Sequence, residues 1–208
     1  MTHLRGLLVT GLMFLASAPL SRADLIITEV VDGTLAGGQP KWVELTNTGS
    51  VTVLLGGFSL GVKNNGSTNL GGAATVLAGT LPAGSSHVIA FETDNGPGVS
   101  MFFTVYGQDP DAYSTATING NDTVLLYLGP ATGDGSNATL MDIYGEDGVD
   151  GFGTVWEYED SFAQRCGDTP NAGVFASADW DIPGPNALET GCGGDDTCET
   201  ANLQVLTN

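Results

Sequence analysis

The chain reads as an all-β protein, a two-layer antiparallel β-sandwich, and three features of the sequence lead there. Short β-rich runs recur about every ten residues with turn signals between them. No stretch offers an amphipathic helix to cover a sheet, so each strand layer has only another strand layer to bury its apolar face against. Glycine is abundant, at 31 residues, while charged residues make up only 14% of the chain, which favours short strands and tight turns over long solvated helices.

Taken in order, residues 25–31 (LIITEVV) form the first core strand, closed by the turn pair Asp32-Gly33. Lys41-Trp42-Val43-Glu44-Leu45 alternates apolar and polar residues before Asn47-Thr48-Gly49, a second strand with one wet face. Residues 51–55 and 58–62 are strand pieces split by Gly56-Gly57, and Lys63-Asn64-Asn65-Gly66 is a loop. Residues 75–77 and 86–91 flank Leu81-Pro82-Ala83-Gly84, a turn of the kind that joins neighbouring strands. Residues 101–106 are too short for periodicity to choose between a strand and a helical turn. Residues 123–128 (TVLLYL) are continuously apolar and predict a centrally buried strand, paired hairpin-fashion with residues 140–144. From about Asp181 onward Pro183, Pro185, Gly191, Gly193 and Gly194 interrupt any regular element, and residues 184–208 are expected to form an extended, flexible tail.

Residues 1–23 have the form of an export signal: Arg5, an apolar run from Gly6 to Pro19, and Ser21-Arg22-Ala23 with small residues at the cleavage-specifying positions. The apolar run is shorter than the roughly 20 residues a bilayer span needs and contains Pro19, which argues against an anchor. The expected organisation is a signal peptide over 1–23, a sandwich domain over 24–183 and the tail. The expected destination is secretion, whether to the medium, the cell surface or a periplasm. The formal net charge is −19, and cleavage removes Arg5 and Arg22 but no acid, leaving 24 acidic residues against Lys41, Lys63 and Arg165. Polyanions are held by Lys and Arg that displace counterions, so direct nucleic-acid binding is disfavoured, while a cation such as calcium would be attracted.

Cys166, Cys192 and Cys198 are the only cysteines. In an exported chain one pair is expected to close a disulfide. Cys166 with Cys192 is the expected bridge, because it would hold the Pro- and Gly-rich segment against the sandwich; Cys192 with Cys198 is the competing pair. No catalytic set emerges. His87 is the only histidine after cleavage and is expected to point outward from a strand, the serines are scattered with no nucleophile elbow expected among them, and no phosphate-cradling Gly-Lys-Ser/Thr loop is present.

Asp142, Glu146, Asp147 and Asp150, spaced by Gly145, Gly148 and Gly151, form a candidate calcium loop, since hard cations take several carboxylate and carbonyl oxygens and the glycines let the backbone curl to present them. The bland alternative is an acidic surface loop. Trp156 and Tyr158, two apart and flanked by Glu157 and Glu159, are the candidate surface patch, the other aromatics being better explained as core. Asn65-Gly66-Ser67, Asn121-Asp122-Thr123 and Asn137-Ala138-Thr139 match the N-glycan acceptor pattern, which matters only in a glycosylating host.

Residues Ile27-Thr28-Glu29-Val30, the run from Trp42 to Gly49, and Leu55-Gly56-Gly57-Phe58-Ser59-Leu60 resemble the opening of a lamin-tail domain. Gly120 to Tyr127, Met141 to Gly151, Trp156-Glu157-Tyr158, Arg165-Cys166 and Asp179-Trp180-Asp181 are similar to the later strands of its bacterial extracellular version, in order. The resemblance implies an immunoglobulin-like fold. Bacterial domains of this kind accompany secreted nucleases or phosphatases, and animal ones mediate protein contacts; this chain has neither a heptad rod nor room for a second catalytic domain, so nuclease activity does not carry over. The reading is a secreted, non-catalytic module for adhesion, scaffolding or targeting through its loops, with an extracellular protein or surface polymer as partner. Its rivals are an accessory fragment of a secreted metal-dependent nuclease or phosphatase, and a calcium-dependent cell-surface protein.

Overall fold

The computed structural model describes residues 24–206, so the export signal expected over residues 1–23 lies outside the described residues. Twelve strands and two helices follow the chain: β1 (Leu25–Val31), β2 (Trp42–Asn47), β3 (Val53–Leu54), β4 (Phe58–Lys63), β5 (Thr75–Val76), β6 (Thr80–Leu81), β7 (Ser86–Ala90), α1 (Met101–Tyr106), β8 (Ala112–Tyr113), β9 (Thr123–Leu128), β10 (Thr139–Tyr144), β11 (Phe162–Arg165), β12 (Trp180–Asp181) and α2 (Asp196–Gln204). One sheet has the order β12-β11-β1-β2-β7-β8, a second β10-β9-β4-β5, and β3 pairs with β6. All pairings are antiparallel except β7 with β8. This is the all-β architecture that the strand pattern predicts, and it is consistent with the immunoglobulin-like fold that the resemblance implies.

The core lies between the sheets and is built by period-two alternation. Val30, Val43, Leu45 and Ile89 of the first sheet meet Leu60, Val62, Leu126 and Tyr144 of the second, all at most 3% exposed. The strand over 123–128 is central in its sheet, between β10 and β4. Its second face is covered too: Leu125 and Tyr127 pack with Leu70, Ala74, Ala131 and Ile143, which explains the unbroken apolar run.

Residues 101–106 settle as α1. Ser100 caps it, its side chain accepting from the Phe103 amide, and Gly107 ends it at φ 72°. The Glu92 carboxylate accepts the Met101 and Phe102 N–H groups at 2.7 and 2.8 Å, so the helix start is fully satisfied. The segment expected to be a flexible tail is instead folded against the outer face of the first sheet. Leu188, Leu203 and Leu206 are at most 6% exposed and pack with Val31, Trp42, Phe102 and Val105. Asn186 and Leu188 also donate their N–H groups to Glu159 and Asp160 carbonyls. Glycines and prolines correctly forecast the interruptions there, but three leucines suffice to cover the apolar stripe that β1 and β2 leave outside.

The two sheets are clasped where β10 passes β1. Arg165 on β11 donates from Nη2 to Asp142 Oδ2 on β10 at 2.7 Å and from Nε to the Ile27 carbonyl at 2.7 Å. Asp142 also accepts the Ile27 and Asn171 amides at 2.8 and 2.7 Å, and the guanidinium lies 4.4 Å over the Trp180 ring. Both side chains are at most 1% exposed. A register shift between Ile27 and Glu29 on β1, and another between Leu140 and Asp142 on β10, sit beside the clasp and re-aim its groups.

Asp142→Ala should therefore leave a buried, uncompensated guanidinium and cost about 3–5 kcal/mol, seen as a lower urea midpoint at unchanged slope. Adding Arg165→Met should recover part of that loss; equal losses for the single and the double variant would show that charge burial is not what the clasp controls.

Candidate functional site

Six strand ends converge at one end of the sandwich, and their loops form its most structured surface. These are the residues after β1 (Asp32), before β2 (Lys41), after β4 (Asn64 and Asn65), before β9 (Asn119 to Asp122), after β10 (from Gly145) and before β11 (Glu159 and Asp160). Two buried carboxylates tie them together. Asp32 accepts from Lys41 Nζ, from the Gly120 amide at 2.8 Å and from the Asp160 amide at 3.4 Å. Asp122 accepts the Asn119 and Asn65 amides at 2.7 and 2.8 Å and Asn64 Nδ2 at 2.9 Å. Burial pushes both carboxyls above their ordinary range, against the opposing pull of those donors. Gly120 is required here, because a Cβ would stand 1.8 Å from the Glu159 nitrogen.

The loop after β10 is clamped in turn. Asn121 Nδ2 donates to Asp150 Oδ1 and Asn65 Oδ1 at 2.8 and 2.9 Å, and its carbonyl accepts the Gly151 amide at 3.0 Å. Gly151 lies so close to the Trp156 ring that a Cβ would fall 2.5 Å from it. The next residue, Phe152, donates its N–H to Asp150 and projects outward, 72% exposed, with Val155 three residues on at 78%. Between these loops lies an open cleft of about 390 Å³, lined by Lys41, Asn65, Asn119, Phe152, Glu159 and Asp160 among others. Beneath the loops the Tyr158 hydroxyl is wholly buried; burial first, then the charges of Asp122 and Asp32, raise its pKa, and it has no hydrogen-bond partner among the described residues.

The residues singled out from sequence do not form one site. Asp142 faces inward to Arg165, away from the other three acids of the candidate calcium loop. Asp147 is paired with Lys63 Nζ at 2.7 Å, Asp150 serves Asn121 and Phe152, and Glu146 is exposed. Among the described residues no three or more His, Cys, Asp or Glu side chains gather where they could hold a metal ion.

Trp156 and Tyr158 are not a surface patch: they are 1% and 0% exposed and pack edge-on against Tyr144, with ring centroids 6.2 and 5.2 Å away. They lie in a loop rather than a strand, so the flanking glutamates do not set an alternating inward and outward pattern. His87 is likewise turned in. It pairs with core-facing Leu45, is 8% exposed, and burial lowers its pKa, opposed by Asp111 3.9 Å away. The bridge expected between Cys166 and Cys192 is replaced by Cys192–Cys198, which closes a short loop before and into α2, while Cys166 is a free, exposed thiol. The tail is held by its leucines and needs no bridge to β11. Phe152 and Asn119 are not singled out by the sequence, which marks Asn65 and Asn121 only as glycan acceptors; Gly151-Phe152-Gly153, a lone aromatic between glycines with no apolar register around it, is the signal that could have found the ring.

Fold and loops together define an immunoglobulin-like domain that presents a structured loop end. A family model described as lamin tail domain matches residues 18–154, and the chain belongs to that family. The match spans β1 through β10 and the loop bearing Phe152, and ends before Arg165. No curated protein and no solved structure matches the chain. Among the described residues no helix is long and apolar enough to cross a membrane.

On the outer face of the first sheet Glu29 is only 4% exposed, and burial, with Glu44 adding repulsion and Gln164 pulling the other way, raises its carboxyl to about 8. A raised acid stabilises the fold below its unfolded pKa and loses that contribution as pH rises through its folded one. From pH 5 to 8.5 the wild type should lose a few kcal/mol relative to Glu29→Gln, about 1.4 kcal/mol for each tenfold difference in proton affinity; parallel urea midpoints for the two proteins would refute it. Native-state alkylation and non-reducing peptide mapping should label Cys166 alone and recover Cys192 linked to Cys198; a Cys166 disulfide in the monomer would contradict the pairing.

Proposed function

We propose that this lamin-tail domain is an exported, non-catalytic module that acts in adhesion, scaffolding or targeting by binding an extracellular protein or surface polymer through its loops. The observation that carries the reading is the fate of the cations. Among the described residues Lys41 pairs with Asp32, Lys63 with Asp147 and Arg165 with Asp142, and their side chains are 13%, 5% and 1% exposed. The described exterior is left with carboxylates, amides, hydroxyls and scattered apolar groups, a surface that repels polyanions and offers no unpaired Lys or Arg to neutralise a phosphoryl transition state. A role beside a nuclease or phosphatase would need the phosphate-binding groups from another chain.

The purified protein should bind the host's extracellular fraction saturably while turning over neither DNA, RNA nor p-nitrophenyl phosphate in the presence of magnesium, calcium or zinc. Metal-dependent turnover that co-purifies with the chain and is lost in Asp150→Asn would overturn the reading.

A further inference from the structure

Phe152 is an exposed aromatic ring that the fold takes trouble to display. Burying such a ring is worth about 1.5–3 kcal/mol, and a mobile loop would let it collapse onto the nearest apolar surface. Here the loop cannot do so: Gly151 is wedged against Trp156 and Asn121, Asp150 accepts both the Phe152 amide and the Asn121 side chain, and Thr154 Oγ1 donates to the Gly151 carbonyl at 2.7 Å. The Gly153 amide is fixed as well, donating to Glu157 Oε2 at 2.9 Å. A ring held in place before contact loses little conformational entropy on binding, which is how preorganised sites gain affinity.

The chemistry beside the ring narrows what it meets. The cleft of about 390 Å³ falls in the range of small-ligand sites, roughly 300–1,000 Å³, but is lined by amides and carboxylates rather than by apolar groups. The side chains of Asn119, Glu159 and Asp160 are not consumed by hydrogen bonds within the described residues, whereas Asp32, Asp122 and Asp150 are spent on backbone and side-chain N–H groups. Glu159 and Asp160 disfavour an anionic ligand, and among the described residues no gathering of acids suits a metal. An organic cation would use the carboxylates but not Asn119, whereas a neutral polyhydroxylated molecule with one apolar face uses the amide, the carboxylates and the ring together.

We propose that the cleft between the Asn119–Asn121 turn and Phe152 is a subsite for a neutral glycan, with Phe152 stacked on the apolar face of a sugar ring and Asn119, Glu159 and Asp160 taking its hydroxyls. The proposal rests on the reading of the chain as a binding module and names the surface polymer. Affinity electrophoresis of the full chain through gels containing neutral polymers (a β-glucan, a mannan, a galactan, soluble chitin oligomers) tests it, with a polyuronate and an Arg-rich peptide as controls. At least one neutral polymer should retard the protein. Phe152→Ala, an exposed site whose loss leaves the core intact, and Asn119→Ala should each weaken retardation about tenfold, the worth of one stacking or polar contact. Val174→Ala, at another exposed apolar residue, should leave retardation unchanged.

Failure of every neutral polymer, or retardation untouched by Phe152→Ala, overturns the proposal. Binding of the Arg-rich peptide alone, lost in Phe152→Ala, also overturns it and makes the loop end a site for a basic protein segment, which leaves the module reading intact. That broader reading falls separately, by phosphoester turnover.

Discussion

Closing the two sheets on each other buries Asp142 and Arg165 together. Either group alone in that position would cost several kcal/mol of lost hydration, so the pair penalises any packing that leaves β10 or β11 out of place. Four further interactions make the burial tolerable: Asp142 takes two backbone amides, Arg165 gives to the Ile27 carbonyl, and Trp180 covers the guanidinium. These contacts oppose the desolvation of the two ions without cancelling it: burial still holds the Asp142 carboxyl above its ordinary range, against the pull of Arg165 and the backbone amides. The gain lies in specificity of packing as well as in stability. β10 is the edge of its sheet, and Asp142 reaching across to Ile27 engages that edge with the other sheet instead of leaving it as a template for another chain. The family match ends before Arg165, so the clasp joins the matched region to the segment that completes the first sheet.

The same device recurs wherever the chain leaves regular structure. Glu92 closes the start of α1, Asp195 accepts the Thr197 amide at the start of α2, Asp32 and Asp122 gather the loop end, and Asp150 fixes the turn before Phe152. A backbone N–H buried in a loop must find an acceptor, and in a glycine-rich chain with short strands many loops raise that demand at once. Part of the acidity that looks from composition like a solvated surface or a metal site is therefore structural. A carboxylate already accepting several N–H groups, as Asp142 does, has few lone pairs left for calcium, and Asp147, five residues on, pairs instead with Lys63.

Period-two alternation and turn residues were enough to place β1, β2, β4, β7, β9 and β10, because one buried face per strand writes itself into the sequence. The continuous run from Thr123 to Leu128 correctly signalled a strand covered on both faces. Features set by distant contacts left no such trace. Trp156 and Tyr158 are flanked by glutamates yet buried, because the loop carrying them is pinned to Gly120 by backbone bonds that no local pattern encodes. The C-terminal leucines are too sparse for a periodic signal, and they matter only because Trp42 and Phe102 leave a stripe to cover. Disulfide choice was of the same kind: spacing allowed either pair, and the fold of the segment before α2 decided. The loop-end cleft was not legible in the sequence, since six strand ends had to be brought together before Asn65, Asn119, Phe152 and Glu159 became neighbours.

If the surface binds as proposed above, net charge and local chemistry do different jobs in recognition. At physiological ionic strength the field of exposed carboxylates is screened within about 8 Å, so the acidity of this chain acts mainly on what comes into contact. There it works as a filter: with each described cation neutralised by its own aspartate, any phosphate or uronate meets carboxylates with nothing to compensate them. A filter selects against ligands and does not select among those that pass. Choice among neutral partners must come from short-range shape and hydrogen bonding, and the described surface concentrates both at the end where Phe152 is held out beside unspent amides and acids. The clamp on that loop is made of the same carboxylate-to-amide bonds that organise the rest of the molecule, so the chemistry that lets a cation-poor chain fold also fixes Phe152 over its polar cleft.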